Sequence, residues 1–176
     1  MLIESGLWKD RIITRLCVVG IRGYYLNSRG RTGVNDRGIY DDAIFVLMPN
    51  TFTSVNGNTD PSSHRRGRAE LIAPQKVIYK PGYHGYGRKS GHNAFRQAAN
   101  VSVHRDGHGE RVFTDSPSGR FWINLHRGGQ NTTSSAGCQT VKASQWKDFY
   151  SYVKKGLREH RQTTFNYYLI ENSQPA

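Results

Sequence analysis

Short apolar runs broken by turn-forming stretches make up most of the chain, and one segment alone carries helical spacing. Ala43-Ile44-Phe45-Val46-Leu47-Met48 is a continuous apolar run closed by Pro49-Asn50, the pattern of a buried strand. Lys76-Val77-Ile78-Tyr79-Lys80 alternates and stops at Pro81-Gly82, and Val101-Ser102-Val103-His104 alternates up to Arg105-Asp106-Gly107. Arg111-Val112-Phe113, Phe121-Trp122-Ile123-Asn124-Leu125 and Phe165-Asn166-Tyr167-Tyr168-Leu169-Ile170 predict further strands, the second leading straight into His126. Leu16 to Val19 and Tyr24 to Leu26 are shorter runs ahead of a polar loop over 27–37, and the turn formers from Val55 to Ser63 predict a second loop. The helix starts at Ser144 as N-cap and places Trp146, Phe149, Tyr150, Val153 and Leu157 on one face. The pattern predicts a mixed β-rich (α+β) fold with one main helix near the C-terminus.

Composition agrees. Nineteen glycines against 6 prolines favour tight turns over linkers, and 10 Tyr, 7 Phe and 3 Trp supply a packed interior. A chain of 176 residues fits one domain, 1–176, with no need of a disulfide or metal for its core. The 25 Lys and Arg against 13 Asp and Glu leave a net charge of +12, which attracts polyanions. No zinc-finger spacing or RNA-binding signature accompanies that charge, so an anionic envelope (lipopolysaccharide or phospholipid) is the expected partner rather than nucleic acid. The basic residues of the helix, Lys147, Lys154, Lys155 and Arg158, together with Arg161, form a solvated face that can also touch lipid. Leu16 to Ile21 is too short for a signal-peptide core, so synthesis in a cytosol and action in the periplasm or cell wall after release are expected.

Chemistry concentrates in one stretch. His126 ends a predicted strand, a loop of small and polar residues follows, and Cys138 sits directly after Gly137. An imidazole beside a thiol can take its proton and make a nucleophile. A sharp turn at Gly137 can aim the surrounding backbone N–H groups at one oxyanion. Cys17, within an aliphatic run, reads as core, although its pairing with Cys138 is open. Tyr83-His84-Gly85-Tyr86-Gly87 reads either as a flap lining a substrate or as a turn, and Asp41-Asp42 either as a carboxylate pair or metal site or as acids solvated or salt-bridged to nearby arginines.

His126, the small-residue loop and Ser135-Ala136-Gly137-Cys138 resemble the L,D-transpeptidase catalytic motif, in which a histidine followed by glycine precedes Ser-His-Gly-Cys. Ala136 stands in place of the signature histidine, Arg127 directly follows the first histidine, and Gln139-Thr140 replaces an aliphatic residue followed by Arg or Asn. The resemblance implies Cys138 as acyl-accepting thiolate, His126 as base, Ser135 as signature serine, and the amides of Gly137 and Cys138 as the oxyanion site. It also implies a β-sandwich, no cofactor, and peptidoglycan stem peptides as substrate. Tyr83, His84, Arg127 and Thr140 are the candidates for substrate contact. The stretches 20–25, 35–42 and 56–62 look like proteins of phages and prophages that carry this motif, which implies a monomeric endolysin acting as a cysteine endopeptidase or carboxypeptidase. Three alternatives stand beside it. One is cross-linking or D-amino-acid exchange by the same acyl-enzyme. Another is a zinc-dependent N-acetylmuramoyl-L-alanine amidase with His126, Cys138 and His84 or His104 as ligands. The last is a polyanion-binding module without catalysis.

Overall fold

The computed structural model describes residues 13–107 and 117–172. The strand predicted over Arg111 to Phe113 lies outside these residues. The described strands are β1 (Cys17–Arg22), β2 (Asp42–Met48), β3 (Thr51–Asn58), β4 (Ala69–Leu71), β5 (Gln75–His84), β6 (His92–Gln97), β7 (Val101–Arg105), β8 (Ser118–Gly119), β9 (Leu125–Arg127) and β10 (Gln139–Val141). The helix α1 (Ala143–Glu159) and the strand β11 (Phe165–Glu171) follow. Hydrogen bonding runs round a closed barrel in the order β1-β11-β5-β6-β9-β10-β3-β2, and β4, β7 and β8 form a separate small sheet. The β-rich class with one helix near the C-terminal end is therefore observed. The expected sandwich of two stacked layers is not what this pairing describes, because the main sheet closes on itself.

Alternation along the strands fills the interior. Val18, Ile44, Val46, Val77, Tyr79, Phe95, Leu125, Val141 and Tyr167 belong to one buried cluster, which also takes in Trp146, Phe149, Val153 and Leu157 from α1. Phe95 meets Phe165 and Phe149 edge-on, with ring centroids 5.0 Å and 6.3 Å apart. The apolar face read from the sequence is thus the face that packs. The helix begins two residues earlier than expected, with Lys142 instead of Ser144 as N-cap and no side-chain cap bond. Tertiary bonds replace the cap: the Lys142 N–H donates to the Asn56 carbonyl at 3.1 Å, and the Asn56 N–H donates to Gln145 Oε1 at 2.9 Å. No described helix is long and apolar enough to cross a membrane.

Three expectations change. Val55 to Asn58, read as loop, forms the end of β3, because β2 and β10 pair with it on both edges and that ladder outweighs the turn preference of Asn-Gly-Asn. β5 runs through Pro81-Gly82 to His84, since β11 pairs it only up to Tyr79 and beyond that point only β6 does. A proline is tolerated where one strand edge is open. The strand predicted over 121–125 begins only at Leu125, because Trp122 adopts a positive φ of 58° and breaks the extended run.

Candidate active site

Two neighbouring strands carry the thiol and the imidazole. β9 and β10 run parallel, with Leu125 opposite Gln139 and His126 opposite Thr140. Cys138 immediately precedes β10 and so stands beside Asn124, two rungs from His126. The Gln139 N–H donates to the Asn124 carbonyl at 2.9 Å and the Gly128 N–H to the Val141 carbonyl at 2.8 Å, clamping both ends of the connecting loop. Ser62 holds the middle of that loop. Its N–H donates to the Ser135 carbonyl at 2.9 Å, and its Oγ accepts the Ser135 N–H at 2.6 Å and shares a 2.6 Å hydrogen bond with Thr133.

Ser135 shapes the turn that leads into Cys138. Its hydroxyl donates to the Cys138 carbonyl at 2.6 Å and accepts the Gly137 N–H at 3.0 Å. Gly137 has a φ of +139°, and a Cβ there would lie 2.3 Å from the Ala69 carbonyl oxygen, so only glycine fits. The Gly137 N–H, expected to face an oxyanion, is therefore engaged by Ser135.

Cys138 is half-buried, and both cysteines are free thiols, so the open question of a bridge to buried Cys17 is answered. Its Sγ accepts the Asn124 N–H at 3.4 Å and faces the Trp122 carbonyl at 3.7 Å. Burial pushes the thiol up to about 11, and the Asn124 N–H offsets this only in part. His126 is buried, with Nδ1 2.7 Å from the Arg127 carbonyl. A carbonyl only accepts, so Nδ1 carries the proton and Nε2 of the neutral ring keeps its lone pair. Burial first, and the neighbouring His84 second, pull this imidazole down to about 3. Both shifts favour an uncharged thiol beside an uncharged imidazole at neutral pH.

The β5–β6 hairpin adds two histidines, since His84 lies directly opposite His92 in the ladder. The His84 ring stacks on His126 with centroids 4.0 Å apart and planes 14° apart, and His92 lies 5.4 Å from His126. Asn124 sets the His84 tautomer: its Oδ1 accepts the Gln97 N–H at 3.3 Å, which turns its amide nitrogen toward His84 Nδ1 at 3.1 Å. Nδ1 accepts there, so neutral His84 carries its proton on Nε2. Burial, reinforced by His92 and Arg88, holds His84 below its ordinary value. Donor atoms of His84, His126 and Cys138 all lie within 4.8 Å of one another.

An open cleft of about 330 Å³ leads to this cluster, lined by Tyr83, His84, Tyr86, Arg88, Arg96 and Trp122 among others. Arg96 sits over the Trp122 ring at 5.1 Å from its centroid, and Tyr86 and Trp122 are largely exposed. On the far side of the nucleophile turn, Ser62, Arg68, Ser134, Ser135 and Ala136 border a second opening.

Of the residues singled out in the sequence, His126, Cys138, Ser135, Gly137 and His84 come together, and Tyr83 lines the cleft. Arg127 contributes its carbonyl to His126, while its side chain is exposed. Thr140, a candidate for substrate contact, is wholly buried in the barrel wall, so its hydroxyl is out of a substrate's reach. His104 pairs across to Glu70 in the small sheet and does not join the cluster. Asn124, His92 and Ser62 are the additions. Asn124 had a signal in its place two residues before His126, whereas His92 and Ser62 reach the site only through hairpin and loop geometry. Comparison of the chain with protein-family models, curated proteins and solved structures returns no match.

Proposed function

We propose that the chain is a peptidoglycan stem-peptide hydrolase, a cysteine endopeptidase or carboxypeptidase of the phage endolysin kind, working through a Cys138 acyl-enzyme. The observation that carries this reading is the single cluster of Cys138 and His126, with the imidazole oriented by the Arg127 carbonyl. His126 Nε2 takes the thiol proton as Sγ bonds to the substrate carbonyl carbon. Negative charge gathers on the carbonyl oxygen, where the Cys138 N–H and the His84 Nε2–H are the donors on hand. The imidazolium then gives its proton to the leaving amine nitrogen as the C–N bond breaks. Water, deprotonated by His126, attacks the thioester, the S–C bond breaks, and the thiol is restored beside a free carboxylic acid. An amine in place of that water gives cross-linking or D-amino-acid exchange by the same first half.

The cleft supports the substrate class. Its aromatic rim and two arginines suit a short peptide bearing free carboxylates, in line with the motif's resemblance to the L,D-transpeptidases. Production in a host cytoplasm, release to the wall and action as a monomer complete this reading.

The mutual approach of His84, His126 and Cys138 favours a second reading, a zinc amidase in which these three hold the ion and a fourth position holds water. One experiment separates the two. Purified sacculi and defined muropeptides are incubated with the protein, with and without chelator and an added D-amino acid, and the products are weighed by mass spectrometry. Chelator-resistant release of stem-peptide fragments, abolished in Cys138→Ala, is expected. Intact sacculi, or release by Cys138→Ala, would sink the proposal, and release that needs zinc would transfer it to the amidase.

A further inference from the structure

Behind the loop that carries Cys138 the barrel buries an acid cluster whose carboxylates take no hydrogen bond from a described Lys or Arg. Asp41, Asp42 and Asp60 are each at most 1% exposed, and Asn58 is fully buried among them. Asp42 lies opposite Gly57 in the last pair of the β2–β3 ladder, which brings the neighbouring Asp41 and Asn58 to the same end of it. The Asn58 amide nitrogen donates to the Asp60 carbonyl, which fixes the carboxamide at Asp60.

The hydrogen bonds account for only part of the oxygen. Asp42 is matched at both oxygens, by the Gly23 N–H and the Thr59 N–H at 2.6 Å each. Asp41 Oδ2 accepts the Asp36 N–H at 2.8 Å, and Asp60 Oδ2 accepts Asn35 Nδ2 at 3.0 Å. Asp41 Oδ1, Asp60 Oδ1 and Asn58 Oδ1 are buried with no hydrogen-bond partner. The nearby guanidinium, Arg22, directs its donors to Glu70, Glu171, Thr59 and the Leu71 carbonyl, and to none of the three aspartates. Among the described residues no Lys or Arg donates a hydrogen bond to Asp41, Asp42 or Asp60, although Arg22 acts on Asp42 and Asp60 through space. Buried carboxylates without a partner are costly and call for a compensating charge.

We propose that Asp41, Asn58 and Asp60 bind one hard divalent cation, calcium, through these three oxygens. The donor set is all oxygen and mixes carboxylate with carboxamide, which suits calcium and its tolerant geometry better than zinc or magnesium. The neutral Asn58, partnerless and fully buried, sets the cluster apart from a group of acids that proton uptake alone relieves. The ion would pin the segment from Asn58 to Ser62, and Ser62 is the residue that fastens the nucleophile loop at Ser135 and Thr133. Calcium therefore acts as a brace for the loop and takes no part in bond cleavage.

The test uses the full chain at neutral pH, by calorimetric titration with calcium chloride and thermal melting in calcium against a calcium chelator. One ion per chain is expected, with the melting temperature raised by about 5–10 °C when calcium is far above its Kd. Magnesium at equal concentration gives a smaller rise. Asp60→Asn removes the heat and the shift, and Asn58→Asp, which keeps an oxygen in place and adds charge, tightens binding. No heat and equal melting temperatures in roughly 1 mM calcium and in chelator would overturn the site, as would an undiminished shift in Asp60→Asn. Calcium binding is read without any wall substrate, so failure of the proposed hydrolase leaves it intact, and the reverse holds.

Discussion

Gly137 is where the chemistry of the site meets the limits of the backbone. Its φ of +139° disfavours any L side chain, and the Ala69 carbonyl oxygen occupies the place of a Cβ at 2.3 Å. Both obstacles are backbone, which cannot rotate aside. Gly137→Ala is therefore expected to cost about 2–3 kcal/mol in urea unfolding. The same change should lower kcat on a muropeptide by about 100-fold, because the thiol shifts relative to the imidazole. An unchanged kcat would show that the turn does not position the nucleophile. The pair His126 and Cys138 and the glycine before the thiol were legible in the sequence because thiol chemistry needs a base and a tight turn, and few residue types supply them. The engagement of the Gly137 N–H by Ser135 was not legible, since one hydroxyl rotamer decides it. Nor was the burial of Asp41 and Asp42, which read as solvated or salt-bridged: the sequence does not reveal that Gly23 and Thr59 turn their N–H groups onto Asp42.

At the scale of elements, buried ion pairs tie the small sheet to the rest of the fold. Arg37 reaches Asp106 with bonds of 2.7 Å and 2.9 Å and also contacts Glu70 on β4, all three side chains being almost fully buried. Burial by itself would raise the Asp106 carboxyl, but Arg37 and the Arg65 N–H outweigh it and hold it below the usual carboxylate range. A depressed folded-state value means that this stability is complete above the unfolded carboxylate range near 4 and is lost as pH falls through the folded value. Asp106→Asn should thus destabilise by about 3–5 kcal/mol at pH 7, and the gap between variant and parent should close in acid once the Asp106 carboxyl is protonated in both states. Melting curves at the two pH values check this, and a gap that persists in acid would remove the ion pair as its cause. The continuous apolar run of β2, the alternating β7 and the late apolar-aromatic run of β11 were foreseen close to their observed bounds, as was the buried face of α1. β3 and β6 were not, because Asn, Gly, His and Arg form strand there only under the demand of two paired edges.

The molecule as a whole carries +12, and its charge bears on encounter more than on the bond-breaking step. Raising ionic strength from about 0.01 M to about 1 M shrinks the Debye length from roughly 30 Å to roughly 3 Å. Binding to anionic vesicles and the rate on whole sacculi should fall steeply over that range, while kcat on a small soluble muropeptide changes less than about twofold. Equal salt sensitivity for both substrates would place the basic residues in the catalytic step. The parallel pairing of β9 with β10 has a separate consequence. His126 and Cys138 are held by ladder contacts on either side of the segment that joins them, so their spacing does not depend on how long that segment is. The exposed Gln130 and Asn131 can therefore be replaced or have residues inserted beside them while Thr133 stays fastened to Ser62 and the thiol and imidazole stay in register.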